Sequence, residues 1–158
     1  MSKRTARNPI FAPSGYRTSI TRCAVAVLLV LVGIAWIAVY VNFAKDAALY
    51  NPKLGGAKPS DPLPWMADLK RWNYLIGFGL ILIGMSVSAH PDTPLGRGRG
   101  VVVGMLFSFL FGLAYILVYY FIGDHISDVP VMKDLNQLNL VVGIGFMAVG
   151  FTFATKWE

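Results

Sequence analysis

The sequence predicts an all-α membrane protein with four transmembrane helices, arranged as two tandem two-helix modules with both termini in the cytoplasm. Two observations predict this fold. Four long stretches contain no charged residue and no histidine, and two blocks of the chain recur further along it in the same order. A hydrophobic fraction of 56% agrees with the prediction, because much of such a chain faces lipid or another helix.

The repeat joins residues 64–84 to residues 130–150 at a constant offset of 66. The identical pairs are Pro64/Pro130, Met66/Met132, Asp68/Asp134, Leu69/Leu135, Asn73/Asn139, Gly77/Gly143, Gly79/Gly145 and Gly84/Gly150. A second match joins residues 33–40 to residues 112–119 at an offset of 79. The offsets differ because the loop inside the second copy is shorter, so the pattern indicates a duplicated two-helix module.

The four predicted spans are residues 23–43, 72–89, 101–122 and 138–155. Each is close to the roughly 20 residues that cross a hydrocarbon core of about 30 Å. A soluble helical domain would need charged faces to cover such stretches, whereas the charges here lie in the gaps. A signal peptide is also disfavoured. The basic region before the first span is long, and no small-x-small cleavage pattern follows the apolar stretch.

The remaining segments complete a predicted division into a flexible basic cytoplasmic tail (1–22), a first module (23–89), a cytoplasmic linker (90–100) and a second module (101–158). Within the first loop, Trp65, Met66, Leu69 and Trp72 are spaced to lie on one side of a short helix in the membrane interface. The basic tail is where a soluble partner would bind.

The distribution of lysine and arginine predicts the orientation. Cytoplasmic termini place eight of these residues inside and six outside, and five precede the first span, which usually dominates the choice. Lys70 and Arg71 on the outer side oppose this prediction. The net charge of +6 and the GRGRG at residues 96–100 could suggest nucleic acid, but basic residues beside a span are better explained by topology and anionic lipid, so no nucleic-acid partner is expected.

Catalytic and metal-binding patterns are missing from the sequence, so we expect no enzyme activity, metal or cofactor. His90 and His125 fall on opposite sides of the predicted membrane, and Cys23 is the only cysteine. The spans lack the ionisable groups that an ion-coupled carrier needs. Asn73 and Asn139 stand in the first turn of their spans, where we expect capping or interface roles, with ligand binding as the alternative.

Glycines are the main candidate functional residues, because small residues let membrane helices approach closely. The predicted helix-packing or partner-binding positions are Gly33, Gly77, Gly79, Gly84, Gly104, Gly112, Gly143, Gly145 and Gly150. Packing inside the chain and packing against another protein are both open. We expect Gly79→Leu and Gly145→Leu to disrupt helix association more than Leu82→Ala, with Leu82 taken as lipid-facing. Amphipathic rings predict interface anchors at Trp36, Trp65, Trp72 and Trp157.

The module resembles the CrgA family of actinobacterial cell division proteins, also called septation inhibitors. The similar residues are GIAWIAVY at 33–40, Trp65-Met66-Ala67 with Trp72-Asn73-Tyr74, and the terminal Lys156-Trp157. The second copy has Leu138 where tryptophan is usual, and the chain has two modules where family members have one. The resemblance implies a non-enzymatic scaffold at the division septum that gathers the FtsZ ring and the septal peptidoglycan synthesis proteins, with an association of several copies left open.

Two other functions fit the same residues. An accessory subunit of a large membrane complex, such as a respiratory supercomplex, would also carry packing glycines and no cofactor. A passive transporter or channel would follow only from the duplicated architecture.

Overall fold

The computed structural model describes residues 18–57 and 59–156. Most of the predicted tail and the predicted anchor Trp157 therefore lie outside the described residues. All regular elements within the described ranges are helical, in agreement with the predicted class.

The first module is a helical hairpin whose arms are α1 (Ile20–Val39) and α4 (Trp72–Ser88). A single π-helical turn (Tyr40–Ala44) joins α1 to the short α2 (Lys45–Leu49), and a 3-10 turn (Pro52–Leu54) and α3 (Pro64–Leu69) follow in the loop. Ser19 caps α1 by accepting a hydrogen bond from the Arg22 amide. The helix thus begins three residues before the predicted span.

The second module repeats the hairpin with a shorter loop. Its arms are α5 (Arg99–Ile122) and α7 (Leu138–Ala154), joined by a 3-10 segment (Gly123–Asp128) and α6 (Pro130–Leu135). The arms of each hairpin pack along one another, and the two hairpins meet mainly through α4 and α7. We call the end of the bundle that holds α2, α3 and α6 the loop end, and the opposite end the linker end.

Two helices are long and apolar enough to cross a membrane. The continuous helix over Ile20–Leu49 has 30 residues, and the mean hydropathy of its most apolar 18-residue window is 2.8. Helix α5 has 24 residues, and the corresponding value is 2.5. The other two predicted spans, α4 and α7, are apolar helices of 17 residues. Only 17% and 22% of the most apolar windows of the two long helices are buried, so neither resembles the core helix of a soluble domain.

The core divides into two clusters of buried side chains. The larger lies at the loop end and includes Tyr40, Met66, Tyr74, Leu135 and Phe146. The smaller lies at the linker end and consists of Ala89, Val101, Val149 and Phe153. Both clusters contain residues of both modules, so the hairpins share one core at each end.

The turns that lead into α4 and α7 are the same in both copies. Lys70 and Asn136, at equivalent positions, have φ values of 47° and 50°, which non-glycine residues rarely adopt. In the helices just before these turns, Met66 and Met132 are buried. The predicted one-sided interfacial helix is therefore wrong in one respect: Met66 packs in the core while Trp65 on the same short helix is 53% exposed.

The linker is folded onto the start of α1. Thr93 donates hydrogen bonds to the carbonyl oxygens of Ser88 and His90. The Asp92 carboxylate pairs with the Arg22 guanidinium at 2.5 Å, and its carbonyl accepts from the Ser19 amide at 2.9 Å. The linker end therefore holds the first turn of α1 beside the connection between the modules.

Candidate functional site at the junction of the modules

Each hairpin crosses at a pair of facing glycines. A Cβ atom placed on Gly33 would lie 2.5 Å from the carbonyl oxygen of Gly77, and one on Gly112 would lie 2.5 Å from that of Gly143. No real side chain tolerates such a distance to a backbone atom, so both crossings require glycine. The two pairs are equivalent in the repeat, and the structure therefore brings four of the predicted packing glycines together inside the chain.

The linker ends of the hairpins are packed differently. A Cβ on Gly84 would lie 2.8 Å from the carbonyl oxygen of Ala26, so the backbones of α1 and α4 stay close there. Its equivalent, Gly150, would instead meet the ring of Phe109, and Gly104 would meet the ring of Phe153. Bulky rings therefore separate α5 from α7 where small residues hold α1 against α4.

The two remaining predicted glycines have contrasting surroundings. A Cβ on Gly145 would lie 2.7 Å from the Leu82 side chain, whereas one on the equivalent Gly79 would have no atom within 4 Å. Leu82 therefore packs on α7 and does not face lipid, which corrects the interpretation made from the sequence. Within the described chain a leucine at Gly79 has open space.

A buried polar cluster joins the modules at the loop end. The Asp134 carboxylate, on α6, forms an ion pair of 2.8 Å with the Lys45 ammonium group and accepts a hydrogen bond of 2.6 Å from the Tyr74 hydroxyl group. The side chains of Asp134 and Lys45 are only 8% and 16% exposed. The Tyr74 ring packs edge-on against Tyr40 at 5.1 Å. The carboxylate of Asp134, in the second module, is thus bound by the Lys45 ammonium and Tyr74 hydroxyl groups of the first module.

The repeated asparagines are fully buried and each bridges the turn before its helix. Asn73 Nδ2 donates to the carbonyl oxygens of Met66 and Lys70, and Asn139 Nδ2 donates to the equivalent carbonyls. The expected capping role is therefore an internal one, since both side chains are 0% exposed and do not meet headgroups.

The oxygen atoms of the two asparagines differ in their partners. Asn139 Oδ1 accepts a hydrogen bond of 2.8 Å from the Tyr115 hydroxyl group. At the position equivalent to Tyr115 the first module has Trp36, and the indole N–H of Trp36 and Asn73 Oδ1 are both buried without a hydrogen-bond partner. The asparagine oxygen is therefore hydrogen-bonded in the second module, whereas in the first module both the asparagine oxygen and the Trp36 ring N–H lack a hydrogen bond.

The three predicted interface anchors that the structure describes lie near the loop end. Trp36 contacts Trp65 edge-on at 5.5 Å, while Trp65 and Trp72 are 53% and 66% exposed. The rings of Trp65 and Trp72 are thus open to the surroundings, whereas Trp36 packs against Trp65 within the first module, and the anchor role of all three stays a prediction.

Between the hairpins the linker end is more open. An apolar groove of about 360 Å³ lies between α1 and α4 on one side and α5 and α7 on the other, with Val30, Met85, Val103 and Phe107 among its lining residues. The contact between the modules is therefore concentrated at the loop end and along α4 and α7.

Sequence reasoning missed the Lys45, Tyr74 and Asp134 cluster. Asp134 is a repeated residue, but its equivalent Asp68 is exposed. Repetition alone therefore does not show which of the two aspartates is buried in an ion pair. Lys45 lies in the other module, and the sequence indicated only that it is one of the six lysines and arginines on the predicted outer side of the membrane. Across residues 18–57 and 59–156, no group of three His, Cys, Asp or Glu side chains could hold a metal ion.

These features define a class: an all-helical protein made of two duplicated hairpins that cross at glycines, with two helices of membrane-crossing length. The family described as cell division protein CrgA matches residues 2–90 and 94–158, so each hairpin is matched. The chain belongs to the CrgA family.

Individual relatives agree with this assignment. A cell division protein CrgA from Streptomyces avermitilis is 42% identical over 65 residues, which cover 40% of this chain and 71% of the relative. Two proteins of the same description from strains of Corynebacterium glutamicum are 42% and 40% identical over 55 residues, covering 35% of this chain and 43% of each relative. The aligned region thus spans less than half of the Corynebacterium proteins. No solved structure matches the chain.

Proposed function

We propose that this protein is a non-enzymatic membrane scaffold of cell division, located in the plasma membrane and enriched at the septum. The observation that carries the proposal is the CrgA match to both halves of the chain. The relatives are described as cell division proteins. By this proposal the tail meets cytoplasmic components such as FtsZ, and the helices meet septal peptidoglycan synthesis proteins.

The proposal includes four spans with both termini in the cytoplasm. The short helices α4 and α7 have 17 residues each, which is about 26 Å at 1.5 Å per residue and close to a hydrocarbon core of about 30 Å. Exposed apolar side chains along all four long helices support a lipid environment, for example Leu28, Ile83, Leu110 and Phe151. Two spans per module give both copies the same orientation.

Labelling tests the topology. In a Cys23→Ser chain, Leu54→Cys places a thiol in the first loop and Leu95→Cys places one in the linker, and both positions are exposed. A membrane-impermeant maleimide should label the first in intact cells and the second only after permeabilisation. Equal labelling of both thiols in intact cells would contradict the four-span arrangement.

Imaging and affinity purification test the function. A fluorescent fusion should concentrate at septa, and the tagged protein purified from native membranes in mild detergent should bring division proteins with it. Uniform membrane fluorescence together with recovery of respiratory subunits in fixed ratio would instead support the accessory-subunit alternative.

A further inference from the structure

One face of the repeat is covered in the second module and open in the first. The covered face is formed by Asp134, Leu138, Val142, Gly145 and Val149, which pack toward the first module. The equivalent residues of the first module, at an offset of 66, are Asp68, Trp72, Ile76, Gly79 and Ile83, and we call them the free face.

Burial separates the two faces clearly. Val142 and Val149 are 2% and 4% exposed, whereas Ile76 and Ile83 are 36% and 56% exposed. A Cβ atom placed on Gly145 would meet the Leu82 side chain, whereas one placed on Gly79 would have no atom within 4 Å. Asp68 is exposed, while the Asp134 side chain is nearly buried in its ion pair.

The two faces have the same local geometry. The turn residues Lys70 and Asn136 have nearly identical φ angles, and Asn73 and Asn139 bridge the equivalent carbonyls. Both helices also cross their partner arm at the same glycine pair. Asp68 and Gly79 are therefore displayed with the spacing that Asp134 and Gly145 use to hold the first module.

We propose that the free face binds another two-helix membrane protein, one that presents a lysine at the loop end of its first helix and a tyrosine in the first turn of its second. These are the groups that Asp134 engages, namely the Lys45 ammonium and the Tyr74 hydroxyl. A leucine two turns further along the second helix of the partner would rest on Gly79 as Leu82 rests on Gly145. This inference rests on the proposed membrane location.

A second copy of the chain does not supply such a surface. Its first module is already covered by its own second module through Asp134. At the positions equivalent to Lys45 and Tyr74, the second module carries Asp124 and Leu140, and residues 120–129 contain no lysine or arginine. Asp68 would therefore find neither the lysine nor the tyrosine that Asp134 engages, which disfavours open-ended chains of identical copies.

Photocrosslinking in the native host tests the inference. The full chain carries a photoreactive benzoylphenylalanine in place of Ile83, and a matched control carries it in place of Ile144, which is similarly exposed but lies on the second module. Illumination should give a protein adduct from position 83 and none from position 144. Asp68→Lys should lower the yield by about tenfold, because a reversed charge at an interface repels its partner. Sequencing of the adduct should show a two-helix protein with the lysine and tyrosine described.

Three results would overturn the inference: adducts with lipid only, an adduct that is a second copy of the chain, or a protein adduct whose yield is unchanged by Asp68→Lys. Asp68 is exposed, so loss of folding does not explain a lower yield, and protein abundance in the same membranes checks this. Septal enrichment is imaged in the same cells. Enrichment without an adduct leaves the division role intact, and an adduct without enrichment contradicts only that role.

Discussion

The two modules cross at equivalent glycine pairs but differ at both ends of their hairpins. Gly33 with Gly77 and Gly112 with Gly143 make the same backbone approach. At the loop end, only the second module places its aspartate in a buried ion pair. The glycine crossing inside each hairpin is thus the same in both copies. The two aspartates differ because only one of the two equivalent faces takes part in the junction between the hairpins.

The largest effect should come from filling a glycine crossing. Gly112→Leu should lower the free energy of unfolding by more than about 3 kcal/mol, because its side chain meets the backbone of Gly143 and cannot be accommodated by rotamer changes. Gly79→Leu, a glycine on the open side of α4, should leave stability within about 0.5 kcal/mol. Thermal unfolding in detergent or nanodiscs measures both, and equal losses would contradict the assigned packing.

The buried ion pair should show the next largest difference. Asp134→Asn leaves the Lys45 charge without its partner and should cost about 3 kcal/mol. Asp68→Asn, its exposed equivalent, should cost nearly nothing. The double variant Asp134→Asn with Lys45→Met should recover part of the loss, and a failure to recover would show that the charge is not the cause.

A smaller difference concerns the asparagine oxygens. Tyr115→Phe removes the hydroxyl group that donates to Asn139 Oδ1 and should cost about 1–2 kcal/mol, because a buried acceptor loses its partner. Trp36→Tyr introduces the equivalent hydroxyl group beside Asn73 Oδ1, which lacks a partner. Trp36→Tyr should therefore lower the free energy of unfolding by much less than the replacement of a packed tryptophan usually does. A Trp36→Phe control separates the hydroxyl effect from the loss of ring contacts with Trp65.

The smallest effect should be a gain at the two turns. Lys70→Gly and Asn136→Gly each relieve a positive φ angle and should raise stability by about 1 kcal/mol in either module. Melting temperatures of the two single variants provide the measurement. A gain in one module only would mean that the turns are strained to different degrees.

Much of the fold could be predicted from the sequence because apolar stretches and repeats are local signals. The observed α4, α5 and α7 lie within one or two residues of the predicted spans. Glycines at 33, 77, 112 and 143 were also predicted as packing positions, since two glycines in facing helices allow close approach. Gly33 can face Gly77, and Gly112 can face Gly143, once the two helices of each module are taken as antiparallel neighbours.

The junction could not be predicted, because it depends on which faces of the two hairpins meet. Asp68 and Asp134 are indistinguishable in the repeat, yet one is exposed and the other buried. Lys45 and Asp134 are far apart in the sequence, and neither stands in a span. Leu82 was taken as lipid-facing for the same reason, since an apolar side chain on a span gives no sign of whether lipid or a helix covers it.

The short folded linker also affects how much stability the junction needs. Because His90 to Gly98 hold the start of α1 beside α4 and lead directly into α5, the hairpins are tethered at an effective concentration in the millimolar range. At that concentration, a contact too small to bring two separate proteins together can still keep the hairpins associated. The tether also fixes the ratio of the two hairpins at one to one.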